Sequence, residues 1–145
     1  MPGFNGEFSH TMDIKGRVAI PVKYRDDLGE EFILTKGLDK CLVLYPLTDW
    51  SELEKKLEKL SIADSNSRFY RRFFSAGATT CILDKQGRIL IPQNLREYAG
   101  LDKDVTIIGA INTVEIWDTC QYNEFMDKNL GNMESIAVRM AELGF

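Results

Sequence analysis

Chemically reactive side chains are scarce in this sequence. One histidine, His10, and three cysteines are its only imidazole and thiol groups. No nucleophile motif, phosphate-binding glycine-rich loop or metal-ligand spacing accompanies them. The cysteines Cys41, Cys81 and Cys120 lie too far apart for a metal clip or a disulfide framework. We therefore expect no catalytic site, no metal site and no cofactor. His10 is predicted to be a strand residue, and the cysteines reduced thiols, with Cys41 and Cys81 in strands.

Long apolar segments are also absent. The longest runs, such as Val18 to Ile20 and Ile89 to Ile91, are only a few residues long, whereas a helix that spans a bilayer needs about 20. The N-terminal residues lack the basic and apolar regions of a signal peptide. With 44% hydrophobic and 28% charged residues, the composition is typical of a soluble globular protein. The sequence predicts a cytoplasmic protein without a membrane partner.

A general excess of positive charge is missing. The net charge is −4 at pH 7 and the pI is about 5.1, which on its own disfavours a nucleic-acid partner. The charge is distributed unevenly, however. Residues 1–25 and 65–100 carry +2 and +4, while residues 26–64 and 101–145 carry −5 each. A folded molecule with this pattern can present a basic face despite its acidic total.

The strongest positive feature is an internal repeat. The pattern D-x-x-G-R-x-x-I-P occurs from Asp13 to Pro21 and again, 71 residues later, from Asp84 to Pro92. Such a repeat indicates two related halves. A half of about 50 residues is too small to bury a satisfactory core alone. We therefore predict an α+β protein whose two β-β-α-β-β halves pack as one pseudo-symmetric β-barrel with interleaved hairpins, flanked by helices.

Hydrophobic periodicity and turn residues predict the same element order in both halves, with two strands around a tight turn, a short helix, two more strands and a longer helix. In the first half the strands are Gly6 to Met12, Arg17 to Ile20, Phe32 to Thr35 and Leu42 to Tyr45, and the helices are Val22 to Leu28 and Thr48 or Asp49 to about Leu60. In the second half the strands are Ala78 to Leu83, Arg88 to Ile91, Val105 to Ile108 and Val114 to Trp117, and the helices are Pro92 to Ala99 and Asp118 to about Leu130.

The predicted boundaries are 1–62 for the first half, 63–77 for a bridging helix, 78–130 for the second half and 131–145 for a C-terminal helix without a counterpart. The two halves are expected to form one domain. The bridging helix carries aromatic residues on one side and Arg68, Arg71 and Arg72 on the other. One interpretation is a basic, aromatic nucleic-acid contact. The interpretation we favour is a packed amphipathic helix whose arginines pair with acidic helices of this chain or of a neighbour.

The residues of the repeated motif have separable predicted roles. An aspartate at the start of a turn accepts the backbone N–H groups of that turn and pairs with the arginine that follows. Arg17 and Arg88 are interpreted either as such partners or as groups that contact phosphate and guanine, because an exposed β-ribbon can enter a major groove. Six residues are predicted to shape the turns and the strand ends that follow: Asp13, Gly16 and Pro21 in the first copy, and Asp84, Gly87 and Pro92 in the second.

Several segments together resemble the MraZ family of bacterial regulators. The resemblance covers nearly the whole chain in order, and it implies two AbrB-like swapped-hairpin halves in one barrel. It further implies a cytoplasmic, nucleoid-associated transcription factor that assembles into a ring and binds double-stranded DNA at short direct repeats upstream of the division and cell-wall gene cluster. The matching segments are Gly6 to Arg17, Ile20-Pro21, Leu42 to Pro46, Phe73 to Ala78, Leu83 to Pro92 and Glu115 to Trp117.

The resemblance also implies which residues contact DNA. Lys15 and Arg17 match the family's DNA-contacting positions in the first motif, and Arg88 matches in the second, with Lys85 supplying charge. Because Gln86 stands where the first motif has Lys15, we favour the first hairpin as the principal DNA-reading element. Two alternatives stay open: an AbrB-like antitoxin, and a structural ring or protein-interaction module, which the acidic helices would suit.

Overall fold

The computed structural model describes residues 3–145. Each half has two strands, a short helix, two more strands and a longer helix, in the order that the repeat predicts. The strands are β1 (Glu7–Thr11), β2 (Arg17–Ala19), β3 (Glu31–Lys36), β4 (Leu42–Pro46), β5 (Thr79–Ile82), β6 (Arg88–Leu90), β7 (Asp104–Gly109) and β8 (Val114–Asp118). The helices are α1 (Val22–Leu28), α2 (Leu47–Glu58), α3 (Ser65–Gly77), α4 (Gln93–Ala99), α5 (Thr119–Leu130) and α6 (Met133–Glu142), with one 3₁₀ turn at Leu38–Lys40.

The strands of the two halves are interleaved. Six of them form one antiparallel sheet in the order β1-β7-β8-β4-β3-β5, and β2 pairs with β6 in a separate two-stranded ribbon. In this arrangement β1 pairs with β7, β3 with β5, β4 with β8 and β2 with β6. Each of these pairs joins a strand of one half to a strand of the other. The predicted α+β fold class, with two tandem halves, is confirmed.

The ribbon and the sheet share a single large hydrophobic core. Val18 of β2 lies directly opposite Ile89 of β6, and these two side chains are 0% and 2% exposed. Because side chains alternate along a strand, the ribbon turns this face inward and leaves the other face to solvent. The inward face packs among fully buried residues of both halves, including Phe32, Leu34 and Ile107. Neither half could enclose this core without the other.

Two predicted details of the first half are wrong. The sequence predicts Cys41 in a strand, but the ladder with β3 starts one residue later, at Leu42. The Cys41 carbonyl instead accepts the Gly37 N–H at 2.7 Å and closes the turn. The sequence also predicts Thr48 or Asp49 as the cap of α2, but Pro46 ends β4 with an extended backbone and the helix begins at Leu47. Proline has a fixed φ that suits this position.

The helices differ in how firmly they pack. Helices α2 and α3 cover one side of the sheet through a cluster that contains Ile33, Trp50, Leu57 and Phe74. Helix α5 packs on the same sheet through Tyr122, which contacts Trp117. Helix α6 follows α5 as α3 follows α2, so it has a positional counterpart that the sequence pattern did not reveal. No helix within residues 3–145 is long and apolar enough to cross a bilayer.

Candidate nucleic-acid interface

The first turn is held by the carboxylate of Asp13. One of its oxygens accepts the backbone N–H groups of Lys15 at 3.0 Å and Arg17 at 2.8 Å. The other oxygen accepts the side-chain Nε–H of Arg17 at 2.6 Å. The Asp13 carbonyl also accepts the Gly16 N–H at 3.0 Å, and Gly16 has a φ of +89°. The aspartate thus shapes the turn and fixes the base of the arginine side chain.

The second turn repeats this geometry. Asp84 accepts the N–H groups of Gln86 at 2.8 Å and Arg88 at 2.9 Å, and it accepts the Nε–H of Arg88 at 3.0 Å. In each turn the backbone N–H of the arginine makes the largest contribution to holding the pKa of the aspartate below its ordinary value. Both aspartates are therefore fully ionised at neutral pH.

Each turn is also supported by the opposite half of the chain. The Ile20 N–H donates to the Gly87 carbonyl and the Ile91 N–H to the Gly16 carbonyl, both at 2.9 Å. A guanidinium packs on each turn glycine so closely that a Cβ atom would not fit. Arg96 covers Gly16 in this way, and Arg25 covers Gly87. Sequence reasoning missed this role, although Arg25 and Arg96 recur at the same spacing as the motif.

Arg17 and Arg88 share the outward face of the ribbon. Arg17 lies opposite Leu90 and Arg88 lies opposite Ala19, so the two arginines occupy diagonal corners. Their side chains are 34% and 26% exposed. Nη1 of Arg88 lies 3.7 Å from the Asp13 carboxylate. Within residues 3–145, by contrast, the Nη groups of Arg17 donate no hydrogen bond, and Asp13 is the only carboxylate in an ion pair with this side chain.

The tips of the turns carry side chains that touch little else. Lys15 and Gln86 are exposed at equivalent positions. Before them stand Ile14 in the first turn and Lys85 in the second. Ile14 is 102% exposed, which is unusual for a large apolar residue on a structured turn. Sequence reasoning did not single out Ile14. The repeat does contain a signal for this exposure. It aligns Ile14 with Lys85, and a lysine at the tip of a turn is expected to be exposed to solvent.

Other residues considered in the sequence lie away from this surface or have structural roles. His10 is half-buried in β1, opposite Val105 of β7. Burial raises the pKa of the Cys41 thiol to about 12 and that of Cys81 to about 11, while Cys120 is exposed. Among the described residues, 3–145, no cluster of histidine, cysteine and acidic side chains has the arrangement of a metal site. Pro21 and Pro92 end the ribbon strands and precede α1 and α4.

The bridging helix α3 presents its arginines on the surface. Arg68, Arg71 and Arg72 line an open groove of about 450 Å³ together with Ile62, Ser75 and Ala76. The Arg68 guanidinium donates to the Ile62 carbonyl at 3.1 Å. Within the described chain, 3–145, none of the three arginines lies in an ion pair. Pairing with acidic helices of this same molecule therefore does not explain them.

Comparison with known proteins gives consistent matches over both halves. A family model described as "MraZ protein, putative antitoxin-like" matches residues 4–73 and again residues 74–143. A protein of Acetivibrio thermocellus named transcriptional regulator MraZ is 56% identical over 141 residues, covering 97% of this chain and 99% of that protein. Proteins of the same name from Halothermothrix orenii and Caldicellulosiruptor saccharolyticus are 51% and 53% identical. The matches cover 97% and 96% of this chain, and 99% and 97% of those proteins.

Proposed function

This chain belongs to the MraZ family, and we propose that it is a transcriptional regulator that binds double-stranded DNA sequence-specifically. It acts in the cytoplasm, associated with the nucleoid, and is not an enzyme. The two halves, 1–62 and 78–130, work as one domain that presents the β2–β6 ribbon to DNA. The helices at 63–77 and 131–145 serve assembly.

The single observation that carries this proposal is the hydrogen bonding and orientation of the Arg17 side chain. Its Nε is held by Asp13 at 2.6 Å, so the guanidinium is oriented before any ligand arrives. Its two Nη groups donate no hydrogen bond to residues 3–145. A pair of parallel N–H donors matches the O6 and N7 acceptors of guanine in the major groove, and also matches a phosphate. Pre-orientation lowers the entropy lost on binding.

The remaining residues of the ribbon face support this contact. A two-stranded ribbon fits the major groove, which is about 12 Å wide. Lys15 and Lys85 reach phosphates from the turn tips. Arg88 contacts DNA more weakly, because Asp84 and Asp13 both engage it. The first hairpin is therefore the principal DNA-reading element and the second is an auxiliary one.

One ribbon offers only a few contacts, so useful affinity requires several ribbons on one DNA. We propose that the protein assembles into a ring and binds short direct repeats in the promoter of its own gene, within the division and cell-wall gene cluster. Linked binding sites raise avidity by about 10²–10⁴ over a single contact. The spacing of the DNA repeats then has to match the spacing of neighbouring ribbons.

Fluorescence anisotropy with a fragment of the upstream DNA tests the proposal. Arg17→Ala is expected to weaken binding by about 1–3 kcal/mol for each engaged ribbon, and to reduce the slope of log K against log salt by about 1 for each phosphate that the variant no longer neutralises. Arg88→Ala should have a smaller effect. Lys55→Ala, an exposed lysine on α2, is the control and should match the parent protein. Equal affinity of the parent and Arg17→Ala, with assembly intact, would refute the proposed contact.

A second candidate function has one observation in its favour, namely the antitoxin-like description of the matching family model. An antitoxin or interaction module would use its surface to bind a protein. In that case Lys15→Ala and Arg17→Ala would leave any DNA binding unchanged, and a protein partner would co-purify at a fixed ratio. The anisotropy series separates the two candidates, because only the first predicts a strong dependence on Arg17.

A further inference from the structure

The outward face of the β2–β6 ribbon is formed by Arg17, Ala19, Arg88 and Leu90, and Leu90 is the one large apolar side chain among them. It is 60% exposed. It lies opposite Arg17, and Arg88 precedes it by two positions on the same strand and therefore on the same face. A single exposed leucine is ordinary on a protein surface, but the neighbours of this one are the two arginines that we propose to contact DNA.

The repeat identifies Leu90 as a difference between the two halves. At the spacing of the motif, Arg17 corresponds to Arg88 and Ala19 corresponds to Leu90. Ala19 lies opposite Arg88 just as Leu90 lies opposite Arg17. The two corners of the ribbon face therefore share an arginine but differ in its apolar partner, which is a leucine beside Arg17 and an alanine beside Arg88. A half-turn of the ribbon does not reproduce the same surface.

The hydrogen bonds of the ribbon bring the side chains of Arg17 and Leu90 close together. Gly16 and Ile91 lie one position beyond this pair, and the Gly16 carbonyl accepts the Ile91 N–H at 2.9 Å. Hydrogen-bonded and non-hydrogen-bonded pairs alternate along an antiparallel ladder, so Arg17 and Leu90 form a non-hydrogen-bonded pair. The Cα atoms of such a pair are about 4.5 Å apart, and its side chains are the closer ones across the ladder. The two side chains therefore leave the ribbon side by side.

This pair of side chains matches two neighbouring bases in the major groove. Successive bases of one DNA strand are about 3.4 Å apart along the helix axis. A guanidinium donates to the O6 and N7 atoms of guanine, and an apolar side chain packs against the C5-methyl group of thymine. With Arg17 on a guanine, the leucine at its side lies about one base step away. Ala19 has a shorter side chain and covers less of such a methyl group.

We propose that Leu90 is a specificity-determining residue that packs against the C5-methyl group of a thymine next to the guanine contacted by Arg17. This inference rests on the proposed DNA-binding function and names part of the sequence that the ribbon reads. It also determines the orientation of the ribbon. With the ribbon reversed on the DNA, Ala19 would take the place of Leu90 and the methyl contact would be lost. Ribbons bound to direct repeats therefore all face the same way.

Replacement of thymine by uracil tests this contact. Deoxyuridine pairs with adenine as thymidine does and keeps the O4 acceptor, but it lacks the C5-methyl group. Fluorescence anisotropy compares two probes, the DNA upstream of the gene and the same DNA with deoxyuridine at every thymidine position. The parent protein is expected to bind the thymine probe at least about fourfold more tightly for each engaged ribbon, which is the factor that one buried methyl group contributes.

Three variants separate the methyl contact from other roles of Leu90. Leu90→Ala should reduce the ratio of the two affinities by about fourfold for each engaged ribbon, whereas a role in positioning Arg17 would weaken binding to both probes by the same factor. Leu90→Met keeps an apolar side chain of similar size and should retain the preference for thymine. Leu38→Ala truncates a leucine of similar exposure, 56%, on the turn between β3 and β4, and it should keep the ratio of the parent.

Single base replacements then locate the contact. Each thymine of the bound sequence is replaced in turn by uracil, and each guanine by 7-deazaguanine, which lacks the N7 acceptor. The thymine whose replacement no longer affects Leu90→Ala should lie next to the guanine whose replacement no longer affects Arg17→Ala. Sensitive positions several base pairs apart would overturn the proposed arrangement.

The results for Leu90 and for DNA binding itself can be distinguished. The inference about Leu90 fails if the parent does not discriminate between the two probes, or if Leu90→Ala has the same ratio of affinities as the parent. In either case a loss of binding in Arg17→Ala would still support the proposed function. A parent that binds neither probe would refute the proposed function together with the inference. The thermal midpoint of Leu90→Ala should equal that of the parent, which shows that the fold of this variant is intact.

Discussion

The close packing of Arg96 on Gly16 leads to a sharp prediction about stability. Gly16 has a φ of +89°, which costs an alanine about 1–2 kcal/mol. A Cβ atom there would also overlap the Arg96 guanidinium, and overpacking of this kind typically costs about 1–3 kcal/mol. We expect Gly16→Ala to lower the free energy of unfolding by about 2–5 kcal/mol in total.

The two parts of this cost can be separated with a double-mutant cycle. Arg96→Ala removes the obstructing group and its hydrogen bonds to the Ile91 and Lys15 carbonyls, at about 1–2 kcal/mol. In that background, Gly16→Ala should cost only the backbone strain. The coupling between the two substitutions is expected to be at least about 1 kcal/mol, against about 0.3–0.5 kcal/mol for independent sites.

Urea unfolding at one fixed protein concentration measures all four variants, because the proposed assembly would make apparent stability depend on concentration. The equivalent double-mutant cycle at Gly87 and Arg25 is expected to give a similar coupling free energy, since Arg25 packs on Gly87 in the same way. If Gly16→Ala costs as much without Arg96 as with it, the guanidinium is not what restricts the glycine. The proposed role of the opposite half's guanidinium in restricting the turn glycine would then have to be abandoned, while the backbone hydrogen bonds between the halves would remain.

Three other measurements probe the thiols, the turn aspartates and Ile14. In the folded protein at pH 8, one thiol per chain, that of Cys120, should react with a disulfide reagent, and all three should react after unfolding. The reason is that Cys41 and Cys81 are buried and have raised pKa values. Rapid reaction of two or more thiols in the folded state would contradict this. The turn aspartates have folded-state pKa values below 3.8, so their stabilisation should be complete above that pH and lost as the pH falls through the folded-state values. The thermal midpoint of Asp13→Asn with Asp84→Asn should therefore approach that of the parent in acid, and a gap that does not narrow as the pH falls below 3.8 would refute the linkage. Ile14→Ala should leave the thermal midpoint unchanged, because Ile14 is fully exposed. If the Ile14 side chain contacts a thymine methyl group, the same substitution should weaken DNA binding at least about fourfold, since each buried CH₂ contributes about 0.8 kcal/mol. Unchanged affinity would exclude that contact.

Local patterns were sufficient to predict most elements. Gly16 and Gly87 mark the turns, Gly29 and Gly100 end the short helices, and Asp118 does cap α5, accepting the Gln121 N–H at 3.2 Å. These signals are local because a turn or a cap involves residues only a few positions apart. The errors at Cys41 and α2 are boundary errors, where proline and a tight turn shifted the limits by one or two residues.

The support of each turn by the other half could not be predicted in the same way. Arg25 and Arg96 were visible as repeated residues, but their contacts with Gly87 and Gly16 depend on how β2 pairs with β6. That register is decided by the burial of Val18 and Ile89 in a core shared by both halves. Likewise, Arg88 has a second carboxylate partner only because Asp13 of the other half approaches it to 3.7 Å. Contacts between residues this far apart along the chain produce no periodic pattern that can be recognised in a single sequence.

The pairing of β2 with β6 has a consequence for how the protein responds to its own abundance. Both strands belong to one chain, so dilution cannot separate them, and each molecule keeps a complete ribbon at any concentration. Contacts between copies in the proposed assembly would, in contrast, form only when copies are numerous enough. The quantity that changes with protein level would then be the number of identical ribbons acting together, and not the shape of any one of them. Under that proposal, the protein's own concentration sets the occupancy of the proposed DNA sites.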